Sequence, residues 1–253
     1  MGLFKTILNT VPRPILIKLS YLARPFLAFW FRGKAYTDPI DGHNYRRFLP
    51  YGYGQQRPNV LAPGTLSLER HRLLWLYLQN ETSFFTAPLK VLHLAPEQCF
   101  LKRFKALKNL DYTTADLYAP HVDIKADICN LPFADAVFDV VFCNHVLEHI
   151  TDDTKAMQEL YRVLKPGGFG IFQIPQDLSK EKTYEDFSIT SPTERTKHFG
   201  QYDHVRIYGR DYFNRLRAVG FKVQELNYCQ NLSAETIEQY RLMSGEILPV
   251  CFK

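Results

Sequence analysis

Residues 138–174 contain the stretch of sequence that decides the fold: FDVVFCNHVLEHI at 138–150, YRVLKPGG at 161–168 and FGIFQI at 169–174. The apolar run at 138–143 predicts a buried strand, and Asn144 and His145 predict its polar end. A helix is expected from about residue 152 to residue 164, where the Pro-Gly-Gly sequence stops it before a second buried strand. The stretch therefore predicts one β–α–β unit.

Three further strands are predicted ahead of this unit. The runs at 89–94, 110–115 and about 122–126 are apolar, as is typical of buried parallel strands. Each is followed by polar residues: Ala95-Pro-Glu97 after the first, Asp116 after the second, and DICNLPF at 127–133 after the third. We expect a cofactor site at these strand ends.

The strand end at Asn144, the LKPGG sequence and the DICNLPF loop together resemble class I S-adenosylmethionine-dependent methyltransferases, in a bacterial methyltransferase type 11-like form. The resemblance covers residues 66–253. It implies an α/β fold with a Rossmann-like seven-stranded sheet of order 3-2-1-4-5-7-6, whose last two strands form an antiparallel pair. It also implies S-adenosyl-L-methionine as the cofactor and methyl transfer as the reaction.

The first loop departs from the family's acidic-x-Gly-x-Gly-x-Gly pattern. His93 stands at the acidic position, and Ala95 and Glu97 stand at the first two glycine positions. A phosphate-binding loop is disfavoured without glycines, but a sulfonium nucleoside has no phosphates and needs no such loop. Glu97 is expected to bind the cofactor's ammonium group, or else only to interact with the dipole of the following helix.

Asp116 follows Ala95 by 21 residues, a spacing that suits a carboxylate accepting from both ribose hydroxyls. The resemblance assigns the adenine amino group to Asp127 and places Ile128 against the ring. It also puts Asn144 and His145 on the methyl-donating face. The complete predicted cofactor set is His93, Ala95, Glu97, Asp116, Leu117, Asp127, Ile128, Asn144 and His145.

The segment at 176–210 is too long for a passive connection and predicts an insertion that covers the methyl acceptor. His145, His204 and His198 are the candidate catalytic bases, and Tyr202, Arg206 and Tyr208 are the candidate acceptor-binding residues. A structural role at the strand end is the alternative for His145, and ordinary surface polarity is the alternative for the others. Glu148 and His149 are adjacent and do not share a helix face, so no metal site is predicted.

Residues 1–35 form a basic, apolar segment with six cations and no acidic residue among the first 37 residues. Lys18, Arg24 and Pro25 argue against a spanning helix, and Pro25 is expected to interrupt any helix there. Peripheral membrane contact through residues 1–34 is one interpretation, and a lid helix packed on the catalytic core is the other.

Residues 36–65 contain two similar turns, Asp38-Pro-Ile-Asp41 and Ala62-Pro-Gly-Thr65. Their spacing resembles a zinc ribbon in which all four thiolate positions are replaced, and an ordinary Pro/Gly-rich loop is the alternative. Two carboxylates, an alanine and a threonine are a poor zinc site, so no bound zinc is expected there.

Five widely spaced cysteines without a CxxC pair predict neither a disulfide framework nor a thiolate metal site, which fits a protein of the reducing cytoplasm. Membrane contact through residues 1–34 would place it at the inner face of the membrane. Outside the first 37 residues the charges nearly balance and no aromatic-interleaved basic strip occurs, so nucleic acid is an unlikely partner. The expected acceptor is a small or lipid-like molecule. The alternative is a catalytically inactive binding module of the same fold at the membrane surface, suggested by the missing glycines.

Overall fold

The computed structural model describes residues 13–52 and 56–253, so part of the predicted membrane segment lies outside the described residues. The chain divides into two compact units. The first contains the described part of residues 1–81 together with Tyr228–Glu246, and the second contains Thr82–Asn227 and Ile247–Lys253. The predicted domain starting at residue 66 is therefore divided between them.

The first unit begins with helix α1 (Arg13–Trp30), which continues through Pro25. The expected interruption is wrong, because the helix accepts the loss of one backbone hydrogen bond at this proline. Two antiparallel hairpins follow, formed by strands β1 (Arg32–Asp38) and β2 (His43–Tyr45) and by β3 (Leu49–Tyr51) and β4 (Arg57–Leu61). Helix α2 (Glu69–Glu81), a 3-10 turn at Tyr228–Asn231 and a short helix at Ala234–Gln239 complete the unit.

The two ribbon-like turns are held by a buried carboxylate. Asp38 is fully buried and accepts hydrogen bonds from the backbone N–H of Ile40 (3.0 Å) and from the hydroxyls of Thr65 and Ser67 (3.1 Å for Ser67). The Ser67 hydroxyl, two residues before the start of α2, is therefore used to bind Asp38. Burial, and next the charge of Asp41, raise the pKa of the Asp38 carboxyl.

The other two ribbon-like positions lie in apolar or hydrogen-bonded surroundings. Asp41 accepts from the hydroxyl of Tyr45 at 2.9 Å, and Ala62 is fully buried in a small apolar cluster with Tyr45 and Phe48. A Cβ at Gly64 would lie 2.3 Å from the Tyr45 hydroxyl oxygen, so the turn needs a glycine for this close approach. The descent of this hairpin pair from a zinc ribbon stays a prediction.

Nine strands and four helices belong to the second unit. They are β5 (Leu89–Leu94), α3 (Gln98–Ala106), β6 (Leu110–Asp116), β7 (Ile124–Lys125), β8 (Phe138–Cys143), α4 (Asp153–Val163), β9 (Leu164–Ile171), β10 (Tyr184–Glu185), α5 (Pro192–Phe199), β11 (Arg206–Ile207), α6 (Tyr212–Val219), β12 (Lys222–Leu226) and β13 (Leu248–Phe252). Seven of the strands form one sheet in the order β12-β13-β9-β8-β5-β6-β7. Only β13 runs antiparallel to its neighbours, which confirms the predicted fold and strand order.

The β–α–β unit at residues 138–171 forms as predicted. Asp152 caps the start of α4 by accepting a hydrogen bond from the backbone N–H of Lys155 at 2.9 Å. Ala156, Leu160 and Val163 are all fully buried in the main apolar cluster, as their helical spacing predicts. Helix α4 thereby closes one face of β8 and β9.

The predicted insertion at 176–210 is ordered around the short β10–β11 pair and helix α5. Ser191 caps the start of α5 by accepting from the backbone N–H of Glu194, and Gly200 ends the helix at a φ of 83°. Within the part of the chain that the structure describes, helices are too short or too polar to cross a membrane.

Candidate functional site

Four parallel strands end at one edge of the second unit, and the candidate site is built there. In the sheet register, Leu94 of β5 lies opposite Ala115 of β6 and Cys143 of β8. The residues that follow these positions therefore emerge at one level. This edge at the carboxyl ends of the strands is where open α/β sheets bind ligands.

Ala95 keeps the backbone conformation for which the family uses glycine. Its φ is 46°, in the left-handed region that an L-residue enters at a cost of about 1–2 kcal/mol. Its N–H donates to the carbonyl of Ala115 at 2.9 Å, which ties the loop after β5 to the end of β6. The alanine thus adds backbone strain to a turn that is hydrogen-bonded to the end of β6.

Glu97 is oriented by a hydrogen-bonded chain of buried side chains. Burial raises the pKa of Tyr112 well above its usual range, so its hydroxyl stays protonated and donates to His93 Nδ1 at 2.8 Å. His93 Nε2 then donates to Glu97 Oε2 at 2.6 Å, and Asn144 Nδ2 donates to Glu97 Oε1 at 3.1 Å. His93 is fully buried, so it positions Glu97 and does not itself reach a ligand.

Asp116 and Asp127 each begin a tight turn at the end of a strand. Oδ1 of Asp116 accepts from the backbone N–H groups of Tyr118 (2.7 Å) and Ala119 (2.6 Å), and Oδ1 of Asp127 accepts from that of Cys129 (2.9 Å). In each aspartate, the Oδ1 oxygen is therefore used to fix the orientation of the side chain. This geometry fits two carboxylates held to accept from a nucleoside.

Leu117 and Ile128, the neighbours of these acids, have opposite environments. The Leu117 side chain is 48% exposed beside Asp116, while Ile128 is 6% exposed and packs in the main apolar cluster. Leu117 is thus available for an apolar contact. The predicted ring contact of Ile128 stays a prediction, although its side chain is largely used by the core.

Gln173, just after β9, is a candidate that the sequence did not indicate. Its backbone N–H donates to Asn144 Oδ1 at 3.1 Å and its carbonyl accepts from His145 N at 2.7 Å. The side-chain amide is buried, and among the described residues neither its nitrogen nor its oxygen has a hydrogen-bond partner. Buried polar atoms rarely stay unpaired, so this amide is suited to bind a ligand. A polar residue ending the apolar run FGIF was the available signal.

The three candidate bases differ in how their ring nitrogens are used. His145 has a φ of 55° after β8, its Nδ1 lies 3.3 Å from Glu148 Oε1, and its Nε2 is buried without a partner among the described residues. His198 Nδ1 lies 2.9 Å from the Tyr184 hydroxyl. His204 is buried with Nδ1 at 3.2 Å from the Phe199 carbonyl, and this burial lowers its pKa.

Two of the three predicted acceptor-binding residues are enclosed by protein. Arg206 is 1% exposed and donates to the carbonyls of Leu147 (3.1 Å), Ile150 and Thr151 (2.9 Å), and to Glu185 Oε2 at 2.8 Å. Tyr208 is fully buried and donates to Asp153 Oδ2 at 2.7 Å.

Arg206 and Tyr208 use their polar atoms to fasten the insertion to the turn after β8 and to Asp153 of α4. Their role in acceptor binding stays a prediction, which this burial does not favour. Tyr202 remains a candidate, since it is 55% exposed.

Residues 89–172 match the model of a methyltransferase domain family. The ubiquinone/menaquinone biosynthesis C-methyltransferase UbiE of Edwardsiella ictaluri is 32% identical over 137 residues, which are 53% of this chain and 49% of that protein. The malonyl-[acyl-carrier protein] O-methyltransferase of Erwinia billingiae is 44% identical over 81 residues, or 32% of this chain and 29% of that protein. The chain thus spans less than half the length of these relatives.

Among solved structures, an S-adenosylmethionine dependent methyltransferase from Mesorhizobium loti aligns with 71% of this chain and 96% of its own, at 15% identity and a TM-score of 0.47. The matched residues 89–172 run from β5 to the end of β9 and so contain Glu97, Asp116, Asp127 and Asn144. Nothing in these comparisons favours the non-catalytic alternative.

Proposed function

We propose that this chain, which carries a class I S-adenosylmethionine-dependent methyltransferase domain, transfers the methyl group of that cofactor to a small-molecule or lipid-like acceptor. The observation that carries the proposal is the joining of Glu97 and Asn144 by a 3.1 Å hydrogen bond at the strand-end edge that also presents Asp116 and Asp127. The cofactor is cationic at its sulfur and its ammonium group, and the polar groups of this edge are mainly carboxylates and amides.

When bound, the cofactor supplies an electrophilic methyl group on a positively charged sulfur. Glu97, held by His93 and Asn144, binds the ammonium group. Asp116 accepts from the ribose hydroxyls and Asp127 from the adenine amino group. These contacts fix the orientation of the methyl group, and orientation is the main requirement of an in-line displacement.

His145 is the preferred candidate for removing a proton from the acceptor. It follows Asn144 directly, and Glu148 Oε1 at 3.3 Å from its Nδ1 would stabilise the ring after it takes a proton. His198 is already paired with Tyr184, and His204 Nδ1 with a backbone carbonyl. Tyr202 and the rest of the insertion would then contact the acceptor.

The acceptor is proposed by chemical class only. By their names, the relatives given above are a C-methyltransferase of ubiquinone and menaquinone biosynthesis, whose products are lipid-like, and an O-methyltransferase of malonyl-[acyl-carrier protein]. We therefore favour an acceptor with an apolar body and a methylatable carbon or oxygen over a purely polar one.

Asp116→Ala tests the cofactor site. The variant should bind S-adenosylmethionine and S-adenosylhomocysteine about 1–3 kcal/mol more weakly in calorimetry, the usual cost of leaving ribose hydroxyls unpaired. Asp111→Ala is the matched control, because Asp111 is an exposed acid on the same strand, β6. Equal affinity of Asp116→Ala and the unmodified chain would refute the role of Asp116.

Peripheral attachment to an anionic membrane is proposed for helix α1. Four of its apolar side chains, Leu22, Phe26, Phe29 and Trp30, are 58–78% exposed. Leu27 and Ala28 instead pack against the apolar cluster of the hairpin pair formed by β1 to β4. The exposed residues recur at helical spacing and form one apolar face. Arg24 and Arg32 flank this face, and each cation near an anionic surface contributes about 1 kcal/mol to binding.

Vesicle flotation tests this attachment. The full chain should float with vesicles that contain anionic lipid at low salt and less so at high salt. Leu22→Glu should abolish flotation, whereas Leu178→Glu, which alters an exposed leucine of the insertion, should not. Flotation that is absent from the start, or insensitive to Leu22→Glu, would refute attachment through α1.

A further inference from the structure

We propose that Glu148, His149 and His204 bind a divalent transition-metal ion of the zinc class. One ligand atom from each of these residues lies within 4.8 Å of the other two. The sequence argued against a metal here because Glu148 and His149 are adjacent. The structure places both on a 3-10 turn, Leu147–His149, and brings the third ligand from the insertion.

The two chain segments that carry the ligands are fastened together on both sides. The N–H of Val205, next to His204, donates to the carbonyl of Glu148 at 3.0 Å. Arg206 binds the carbonyls of Leu147, Ile150 and Thr151 around the same turn. The rings of His149 and His204 meet edge to face with their centres 4.7 Å apart. The ligands are therefore held in place by contacts that involve no metal.

Both histidines have the outer hydrogen bond that metal-binding histidines need. His204 Nδ1 lies 3.2 Å from the carbonyl of Phe199, and His149 Nδ1 lies 3.3 Å from the carbonyl and 3.5 Å from the carboxylate of Asp203. An Nδ1–H that donates to an oxygen fixes the tautomer and leaves Nε2 as the metal ligand.

Glu148 supplies an unpaired buried oxygen. The residue is 1% exposed, and its Oε2 has no hydrogen-bond partner among the described residues. Its other oxygen, Oε1, lies 3.3 Å from His145 Nδ1. Burying an unpaired carboxylate oxygen is costly, and a cation removes that cost.

The ligand set selects the kind of ion. Two imidazoles and one carboxylate suit Zn²⁺, Fe²⁺ or Co²⁺ better than Ca²⁺ or Mg²⁺, which prefer oxygen ligands. Ligand atoms about 2.1 Å from a tetrahedral ion are about 3.4 Å from one another. The three ligand atoms now lie within 4.8 Å of one another, so side-chain movements of about an ångström would bring them to that spacing. Three protein ligands leave one position open, as in catalytic and not structural zinc sites.

The open coordination position of the ion indicates which class of acceptor can bind there. This inference rests on the proposed function. Glu148 follows His145 by three residues on the acceptor side of the strand-end edge. A hydroxyl or enol oxygen that binds the ion becomes more acidic, so it passes its proton to His145 more readily before it attacks the methyl carbon. The carbon–sulfur bond then breaks and its electron pair stays on sulfur. We infer that the acceptor carries such an oxygen.

Metal binding is measured apart from activity. Titration of the full chain with Co²⁺ should give visible absorption bands that saturate at about one ion per chain, and Zn²⁺ should displace them. Glu148→Gln, His149→Gln and His204→Gln should each weaken binding at least tenfold. His121→Gln, at an exposed histidine, should leave it unchanged. Circular dichroism checks that each variant is folded.

The outcomes separate the two proposals. Absent binding, binding retained in all three variants, or equal loss in His121→Gln would overturn the metal site. Binding that depends on Asp38 or Asp41 would assign the ion to the hairpin pair and also overturn it. Calorimetry with S-adenosylmethionine on the same samples tests the proposed function by itself, since the predicted cofactor ligands are other residues.

Discussion

The hairpin pair around Asp38 and the strand-end edge around Asn144 differ in how fully their buried polar atoms are hydrogen-bonded. Around Asp38 both carboxylate oxygens accept hydrogen bonds, from Ile40, Thr65 and Ser67. At the strand-end edge, the Gln173 amide, His145 Nε2 and Glu148 Oε2 are buried without partners among the described residues. Satisfied groups hold a fold together, whereas unsatisfied ones are available to a ligand. At the strand-end edge, missing hydrogen-bond partners therefore mark Gln173, His145 and Glu148 as candidate binding residues that residue type alone does not distinguish.

Arg206 gives the largest expected effect, because it is a satisfied residue in a segment where the sequence predicted binding. Arg206→Ala removes one donor from the carbonyls of Leu147, Ile150 and Thr151 and from Glu185, which keeps only Arg215 as its ion-pair partner. The loss of this buried cation should lower the free energy of unfolding by about 3–5 kcal/mol. Urea denaturation measures this. The matched control is Arg210→Ala, an exposed arginine of the same segment, which should cost less than about 1 kcal/mol. Similar losses in both variants would contradict the structural role.

Asp38→Ala should cost about 2–4 kcal/mol of unfolding free energy, since it leaves Thr65, Ser67 and the Ile40 N–H unpaired. The pH dependence distinguishes the charge from the shape. The folded pKa of Asp38 is raised, so its ionisation destabilises the fold, and that loss grows as pH rises from the unfolded pKa through the folded one. Asp38→Asn should therefore gain in stability relative to the unmodified chain as pH rises above the usual aspartate pKa of about 4. A stability difference that stays constant as pH rises would contradict burial of this carboxyl.

Gln173→Met should show the opposite pattern to Asp38→Ala. Replacing an unpaired buried amide by an apolar group of similar size should change stability by less than about 1 kcal/mol, or raise it. Binding of S-adenosylmethionine, or methyl transfer to the acceptor once it is known, should weaken by about 1–3 kcal/mol. A lower free energy of unfolding together with unchanged ligand binding would show that the Gln173 amide stabilises the fold and does not bind a ligand.

Ala95→Gly is the smallest expected change. Glycine removes the strain of a φ of 46° but adds freedom to the unfolded chain, so stability should rise by at most about 1 kcal/mol. Thermal unfolding detects such a shift. Cofactor affinity should stay the same, because a glycine at this position keeps the backbone N–H that donates to the Ala115 carbonyl. A loss of stability would show that Ala95 makes a packing contact that outweighs the strain.

The fold was predictable because its signals are local. The FDVVFC run, the helical spacing of Ala156, Leu160 and Val163, and the Pro-Gly-Gly stop each depend on a few neighbouring residues. The strand ends could be located for the same reason. Side-chain roles were harder to predict where the partner is distant in sequence. Ser67, for example, binds Asp38, which lies 29 residues away.

The candidate site was less predictable because several of its contacts join distant segments. Arg206 reaches carbonyls 55–59 residues away, and no local pattern distinguishes it from an exposed arginine. Glu148 and His149 were set aside as helix neighbours, but the turn between β8 and α4 is not an α-helix and His204 approaches from the insertion. Tertiary contact over such distances is not encoded in residue spacing.

Strand β13 lies between β9 and β12 although both are synthesised before it. Residues 169–171 and 222–226 therefore have no hydrogen-bonding neighbour at this position until residues 248–252 leave the ribosome. During that interval β9 exposes an open edge with the apolar residues Phe169 and Ile171, which is a risk for pairing between nascent chains. The domain thus completes its sheet in one late step, and a pause in translation before residue 248 would prolong the period in which it can aggregate.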